Sequence, residues 1–280
     1  MFTPPAAEII VFGNVVVDGV VLDSNSHWLC ARLTGLGARV ERVQQVRDDP
    51  AAIGEALRGA LARAARLIIT SGGLGPTADD LTLEAIGAAL DRPVAVDAAA
   101  HDWVRGRYAE LAALGWVATA EVLPARAKMA CLPRGAAWLP NQVGTAPGVM
   151  MRQGPSLIVC LPGVPAELKH IFVGPLRPTL TELLGAGSFV EWKATVVCGD
   201  ESLLAPILQR VAAEHAEVYI KSRAKPFDGD LRFLITLSAR GASPHSVEAA
   251  VQGAWDALQR GLKEAAIAIV GLDATQPAGD

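Results

Sequence analysis

Aromatic residues are scarce, at 5% of the chain, so Ala, Val and Leu must do most of the packing. Cysteine is scarce as well. Cys30, Cys131, Cys160 and Cys198 stand alone, with no C-x-x-C and no histidine at zinc-ligand spacing, and read as small buried hydrophobes. His27, His101, His170, His215 and His245 are equally scattered, which sets a histidine-based metal site aside. Positive charge is not in excess: 25 Lys+Arg face 29 Asp+Glu, a net charge of −4. Nucleic-acid binding through counterion release needs a basic face, so a nucleic-acid partner is not expected. No run approaches the ~18 consecutive apolar residues of a membrane helix. The start, MFTPPAAEIIVFG, lacks the basic n-region of a signal peptide. These absences predict a soluble cytoplasmic protein with no membrane partner.

What is present is apolar material for a real core. Of 280 residues, 51% are hydrophobic and 19% charged, which excludes a largely disordered chain, and at this length one core commonly gives way to two. The first two thirds alternate between short apolar runs and amphipathic stretches. Strands are predicted over 8–13, 38–46 and 66–71, with helices over 27–36 and from Asp49-Pro50 to about 65. Asp23-Ser24-Asn25 supplies cap chemistry for the first helix and Gly37 closes it. Further helices are predicted over 81–90, 98–114 and near 118–130, then strands over 136–140, 147–154 and 156–163, turning at Gly154-Pro155. Helices over 166–172 and 176–184 close this part, and 185–188 reads as a linker. Strands separated by helices mean βαβ units, so the fold class is α/β, a three-layer, mainly parallel sheet.

The remainder predicts a second, smaller α+β domain. It reads strand 189–197, helix 202–213, strands 218–222 and 230–239, helix 244–262, with the apolar run 265–270 as a last strand. The expected domains are therefore 1–187 and 188–270, with 271–280 as a tail whose end, TQPAGD, is frayed. There is no internal repeat.

The sharpest motif follows the third strand: Thr70-Ser71-Gly72-Gly73-Leu74-Gly75-Pro76-Thr77-Ala78-Asp79-Asp80-Leu81-Thr82. Ligands of open α/β sheets bind at the carboxyl ends of strands. Three glycines let amides approach an anion, and the following helix adds partial positive charge. Thr77 and Thr82 can donate to phosphate oxygens, whereas Asp79 and Asp80 would be repelled and therefore suggest a bridging divalent cation or a polarised water. The plainer alternative is that one aspartate caps the helix starting at Leu81. A Walker A loop needs G-K-[ST], absent here, and G-x-G-x-x-G fails because position 78 is Ala. Charge neutralisation is then left to a metal, to amides or to side chains from elsewhere. Two other turns, 140–148 (PNQVGTAPG) and 161–167 (LPGVPAE), read as candidates or as ordinary Pro/Gly turn chemistry.

GGLGPTADDLT, PNQVGTAPG and LPGVPAE, in this order, resemble the molybdopterin-binding-like (MogA/MoaB-like) domain of the competence/damage-inducible protein A (CinA) family, over roughly residues 8–184. Gly199-Asp200-Glu201-Ser202 and the stretch 219–241 are more weakly similar to that family's small KH-like domain. The family's third domain, a deamidase, has no room in this chain. The resemblance implies metal-dependent hydrolysis of ADP-ribose or a similar dinucleotide at its pyrophosphate. The cofactors implied are a divalent metal (Mg, Mn or Co) and K+, and the partners a small phosphate-bearing heterocycle, ADP-ribose, dinucleotide or pterin, and a second copy in a homodimer. It implies catalytic roles for Asp48 and Asp80 and metal binding by Asp79 and Asp80. The ligand would be lined by Gly13, Asn25, Ser71, Gly72, Gly73, Leu74, Gly75, Pro76, Thr77 and Thr82. The facing wall would come from Asn141, Gly144, Thr145, Ala146, Gly148, Pro162, Gly163, Val164 and Glu167.

One departure matters. The family pattern reads Gly-Asp-Glu after the first strand, and this chain reads Gly13-Asn14-Val15, losing two carboxylates. Asp18 or Asp23 is the nearest candidate to compensate. The alternative function is thus a binding protein that keeps the pterin or nucleotide pocket with weakened catalysis. A nucleic-acid role for the small domain is disfavoured, because Gly199-Asp200-Glu201-Ser202 lacks the second glycine of a G-x-x-G clamp. The loop reading also predicts that Gly73→Val blocks ligand binding while sparing the fold.

Overall fold

Strand β1 (Ala6–Phe12) is buried along both of its faces, and the larger part of the chain is built around it. The protein is described by a computed structural model covering residues 3–185, 187–225 and 231–273. Up to residue 184 the elements after β1 are α1 (Asn14–Val17), α2 (Ser24–Gly35), β2 (Arg39–Val46), α3 (Pro50–Ala62), β3 (Leu67–Ser71), α4 (Thr82–Ala89) and β4 (Val94–Val96). Then come α5 (Ala98–Ala113), α6 (Pro124–Ala127), a 3-10 turn at Lys128–Ala130, β5 (Cys131–Pro133), β6 (Ala137–Leu139), β7 (Gly148–Gln153), β8 (Ser156–Leu161), α7 (Pro165–Val173) and α8 (Arg177–Leu184). The main sheet has the order β2-β1-β3-β8-β7-β6. Its first four strands are parallel, and β7 and β6 are antiparallel. The mainly parallel α/β architecture expected from the alternating pattern is present.

Side-chain alternation explains the layers. Ile10, Phe12, Ile68, Ile158 and Cys160 join a core with Ile53 and Leu57 of α3, Ile86 of α4 and Val104 of α5. The intervening Ile9, Val11, Leu67, Ile69, Val159 and Leu161 point the other way and are also buried. A strand apolar at every position needs cover on both faces. Leu29 of α2, Leu168 and Phe172 of α7 and Leu180 of α8 are the buried residues of the second cover, where Trp28 meets Phe172 edge-on. Burial pushes the Cys160 thiol up to about 12, so it behaves as the small hydrophobe its isolation suggested.

Several boundaries differ from expectation. The helix foreseen near 118–130 shrinks to α6 and the 3-10 turn, because Pro124 can stand only in a first turn and Gly115, at φ 73°, ends α5. The short β4 and β5, paired off the main sheet, and the four-residue α1 carry too few residues to show a period. Among the described residues, one compact unit comprises Pro5–Cys30 with Arg39–Glu182, and the other comprises 3–4, Ala31–Ala38 and those from Leu183 onward, where the sequence suggested a boundary at 187.

The smaller unit contains β9 (Ser188–Val197), α9 (Glu201–Glu214), β10 (Val218–Lys225), β11 (Arg232–Gly241), α10 (Pro244–Glu264) and β12 (Ala268–Asp273). Its antiparallel sheet runs β10-β11-β9-β12. This β-α-β-β-α-β order is that of a split βαβ, ferredoxin-like unit; the KH-like reading rests on the resemblance alone. Val190, Phe233, Ile235 and Leu237 pack against Leu204 of α9 and Val251 and Leu258 of α10. Gly199-Asp200-Glu201-Ser202 is a helix start, where Asp200 Oδ1 accepts from the Ser202 amide at 2.9 Å. Gly271–Asp273, expected in the tail, belong to β12. Ala186 of the expected linker, Asp230 of the expected strand and the Thr275–Asp280 tail lie outside the described residues.

One charge is buried in β1. Glu8 is 1% exposed, and its two carboxylate oxygens accept from Arg63 Nε and Nη2, each at 2.7 Å. Removing one partner of a buried pair strands the other charge. Arg63 is 37% exposed, so water tempers the loss. We expect Arg63→Ala, which strands the buried Glu8 carboxylate, to cost about 1–3 kcal/mol in urea unfolding, and Glu8→Gln, which leaves only the solvent-accessible Arg63 charge unpaired, to cost distinctly less. Equal costs would show that the pair is incidental.

Candidate functional site

Strand direction brings the sequence motifs to one edge. The parallel strands β2, β1, β3 and β8 end at Val46, Phe12, Ser71 and Leu161. Within the antiparallel part, Leu139 lies opposite Gly148, and Val149 opposite Cys160, so the β6–β7 connection opens on the same edge. Gly13, the 71–82 loop, the 140–148 loop and the 162–167 turn therefore line one carboxyl edge.

The glycines of the 71–82 loop answer to backbone crowding. A Cβ at Gly72 (φ 109°) would stand 2.3 Å from the Phe12 carbonyl oxygen, and one at Gly73 (φ 65°) 2.2 Å from Thr82 Oγ1. The Gly72 amide donates to Leu161 O at 3.0 Å, and Thr82 Oγ1 donates to Gly72 O at 2.9 Å. Thr82 is fully buried and spent on this bond, which corrects its expected role as a phosphate donor. Gly73→Val is likewise no clean probe of ligand binding, since it collides with the loop's own anchor. The amides of Gly73, Leu74 and Gly75 make no hydrogen bond among the described residues. Consecutive free amides of this kind form an anion nest. Gly75 packs against Asp80, and Pro76 carries the chain to an exposed Thr77.

The aspartates close the loop's far end. Asp80 Oδ2 accepts from the Thr77 amide at 2.8 Å, and Thr77 Oγ1 lies 2.5 Å from Asp80 Oδ2 and 2.6 Å from Asp79 Oδ1. Neither aspartate caps α4, whose N-cap is Leu81 with no side-chain bond. The Thr77 hydroxyl, Asp79's own amide and the nearby Lys128 charge hold the Asp79 carboxyl below the usual carboxylate range. Lys128 Nζ donates to Thr77 O at 2.9 Å. The pit between Gly73, Gly75, Asp80, Lys128 and Met129 has only about 10 Å³, room for a single water. A ligand must lie on the open edge and not inside it.

The facing wall is held by Asn141, which is fully buried. Its Nδ2 donates to Ala146 O at 2.8 Å and to Glu167 Oε2 at 2.5 Å, while its Oδ1 accepts from the Val143 and Gly144 amides at 3.2 and 3.0 Å. Arg107 on α5 adds bonds from Nε to Gly144 O and from Nη2 to Gln142 O, at 3.1 and 2.9 Å. Burial pushes the Glu167 carboxyl up, against the Asn141 hydrogen bond and the Arg107 charge. Thr145 Oγ1 turns toward Met129 Sδ at 3.9 Å, Ala146 and Gly148 are buried, and Val164 is exposed. Asn25 Nδ2 ties two strand ends together, donating to Ser71 Oγ at 3.0 Å and to Gly163 O at 2.8 Å. Pro162 O lies 3.5 Å from Ser71 Oγ.

The third cluster bears on the expected metal. The Asn14 amide donates to Asp48 Oδ2 at 2.9 Å, and the Asp48 amide points at Asn14 Oδ1 at 3.4 Å. Asp18 pairs with Arg47 at 2.5 Å, and Asp23 accepts from the Ser26 amide and from Gln45. Neither replaces the carboxylates missing at Asn14-Val15. Among the described residues no three His, Cys, Asp or Glu side chains converge as an ion site, and Asp48, Asp79 and Asp80 already accept hydrogen bonds. This donor set does not fit a resident divalent metal. Lys128 and Arg107 carried no signal in the sequence: each reaches its loop from a helical segment at least 35 residues away.

Comparison with known proteins agrees with this fold. A family described as "Probable molybdopterin binding domain" matches residues 8–182. A protein of Pyrobaculum calidifontis is 40% identical over 251 residues, 89% of this chain and 93% of its own. One of Aeropyrum pernix is 38% identical over 261 residues, 93% of this chain and 94% of its own. The crystal structure of the protein CinA from Thermoplasma acidophilum, titled as of unknown function, is 32% identical and superposes with a TM-score of 0.57 over 63% of this chain and 98% of that one.

The wall gives a sharp test. A Cβ at Gly144 would stand 2.1 Å from Glu167 Cδ. Gly144→Ala should destabilise the protein, Glu167→Ala should relieve the collision, and the double variant should be more stable than the sum of the two by about 1–3 kcal/mol. Strict additivity in urea unfolding would mean the two residues do not touch. Glu167 also sets a pH dependence. Its folded pKa is raised, so its contribution is fully present below the ordinary value of 4.5 and is lost as pH rises through the folded value. Glu167→Gln should flatten stability across that window.

Proposed function

The chain belongs to the molybdopterin-binding domain family, and on that premise we propose that its carboxyl edge binds a small phosphate-bearing heterocycle, a pterin or a nucleotide. The observation that carries this reading is the run of three unpaired amides at Gly73, Leu74 and Gly75, beside the ammonium of Lys128. Amides and a lysine neutralise a phosphate without a metal. Lys128 supplies the positive charge that a Walker A loop would carry within itself. On the facing wall, Glu167 Oε1 has no hydrogen-bond partner among the described residues, since Asn141 takes Oε2. A heterocycle with ring or exocyclic N–H groups suits that acceptor. Asn141 and Arg107 hold the loop so that little ordering is left for the ligand to drive.

Hydrolysis of ADP-ribose or a similar dinucleotide, the activity that the CinA resemblance implies, is the finer reading and the less supported one. Pyrophosphate cleavage needs a polarised phosphoryl group and an activated water. Here Asn14 stands where the family pattern has Asp, and Asp48 and Asp80 are engaged in hydrogen bonds with backbone amides. Binding without efficient turnover is the conclusion these residues favour.

Calorimetry with AMP, ADP-ribose and a pterin phosphate, joined to AMP release from ADP-ribose with Mn²⁺ or Co²⁺, tests it. At least one of the three should bind the wild type, and Lys128→Ala should weaken it by ~10-fold, about 1.4 kcal/mol. AMP release should be near background and rise when Asn14→Asp and Val15→Glu are combined. Rapid metal-dependent release by the wild type would favour the hydrolase. No binding of any of the three would overturn both readings.

A further inference from the structure

The opposite edge of the main sheet carries a second feature that the carboxyl-edge site does not use. A cleft of about 750 Å³ is lined by Arg92, Arg134, Arg152, Thr179 and Glu182 over Met150, Met151 and Leu157. Arg152 lies opposite Leu157 at the start of β8, so the cleft opens where the parallel strands begin. The six residues of β8, at ~3.3 Å each, separate it from the motif loops by roughly 20 Å. No motif in the sequence marks it, because its residues come from four separated segments.

Arg92 builds the cleft. Its Nη2 donates to Arg152 O at 2.5 Å and to Gln153 Oε1 at 2.7 Å, and its Nη1 lies 3.5 Å from Arg134 O. One guanidinium thus ties the turn before β4, the turn before β6 and the β7–β8 hairpin. The result is that Arg134 and Arg152 are brought to one cleft with their own guanidinium groups free of hydrogen bonds and ion pairs among the described residues. Two arginines without partners in one cleft leave their N–H donors available to an anion. Glu182 is the single acid in the lining. A guanidinium fork matches a phosphate with two parallel hydrogen bonds. The floor is apolar: Met150 and Leu157 share the face of Arg152, and Leu157 is 2% exposed. The volume falls within the range of small-molecule sites.

We propose that this cleft is a second ligand site, for a compact organic polyanion that pairs phosphate groups with an apolar ring face, of nucleoside diphosphate size. Arg134 and Arg152 grip the phosphates and Thr179 donates to them. The ring lies over Met150, on the same face of β7 as Arg152. The site is independent of the carboxyl edge and stands whether or not the reading given there holds.

The chain has four methionines, which makes the test direct: Met150 and Met151 line this cleft, whereas Met129 lies beside Gly73 at the other edge. The full chain, labelled with ¹³C at the methionine methyl groups, is titrated with ADP, inorganic pyrophosphate and adenosine. ADP should shift the Met150 and Met151 signals, pyrophosphate should do so more weakly, and adenosine should do nothing. Both Arg side chains are exposed and unpartnered, so R134E/R152E should keep the fold and weaken the ADP response at Met150 and Met151 by ~10-fold or more. Any Met129 response should be unchanged in that variant. Arg92→Ala, which unties the three segments, should weaken the same response. Static Met150 and Met151 signals at millimolar ADP would overturn the proposal, as would shifts that R134E/R152E leaves intact. Shifts that follow protein concentration, with a change of mass in light scattering, would assign the cleft to a second copy of the chain and also overturn it.

Discussion

The structure turns on one close approach. The end of β3 passes so near the end of β1 that no side chain fits at position 72, where even a Cβ would stand 2.3 Å from the Phe12 carbonyl oxygen. The same backbone is clasped from the other side by Leu161 O and by the buried Thr82 hydroxyl. Three strands and a helix are thereby registered against one another at a point with no freedom to slip. The amides of residues 73–75, unbonded among the described residues, follow directly on this fixed backbone. An anion nest built this way is pre-organised, and the glycines serve packing first and ligand approach second.

Charge is arranged around that point with few unmatched groups. The carboxylates of Asp48, Asp79 and Asp80 each accept hydrogen bonds from neighbours, and Asp18 is held below the usual carboxylate range by the Arg47 guanidinium. Asn14 is central to this balance. It exchanges hydrogen bonds with Asp48 without adding a second negative charge, so the pair is stable without a counter-ion. A carboxylate at that position would lie beside Asp48 and would need one. The neutral residue therefore suits the metal-free phosphate site proposed above.

Much of this was legible in the sequence, for identifiable reasons. The mostly apolar runs of β1, β3 and β8, separated by helical segments, pointed to a parallel sheet covered on both faces, and the Gly-rich segment after β3 to a strand end. Cap residues Asp23 and Asp49 were readable from local chemistry and both accept the expected amide bonds. What could not be read depends on long-range placement. Thr82 looked like a phosphate donor until its partner, Gly72 O, came within 2.9 Å. Lys128 and Arg107 sit in helical segments with no motif, and the basic cleft at the far edge draws on four segments at once. The helix foreseen near residues 118–130 failed for a local reason, the proline at 124, which the apolar pattern outweighed.

The ends of the main sheet have a consequence for how the protein behaves at high concentration. An unpaired edge strand is a template for adding strands from other molecules. Here one edge, β6, is only three residues long and runs directly into Pro140, which has no amide to offer a neighbour. The other edge, β2, exposes the charged Arg39, Glu41 and Arg42. A flat intermolecular sheet would have to bring these charges together or stop at the proline. Both edges of the main sheet thus carry features that oppose the addition of a further strand.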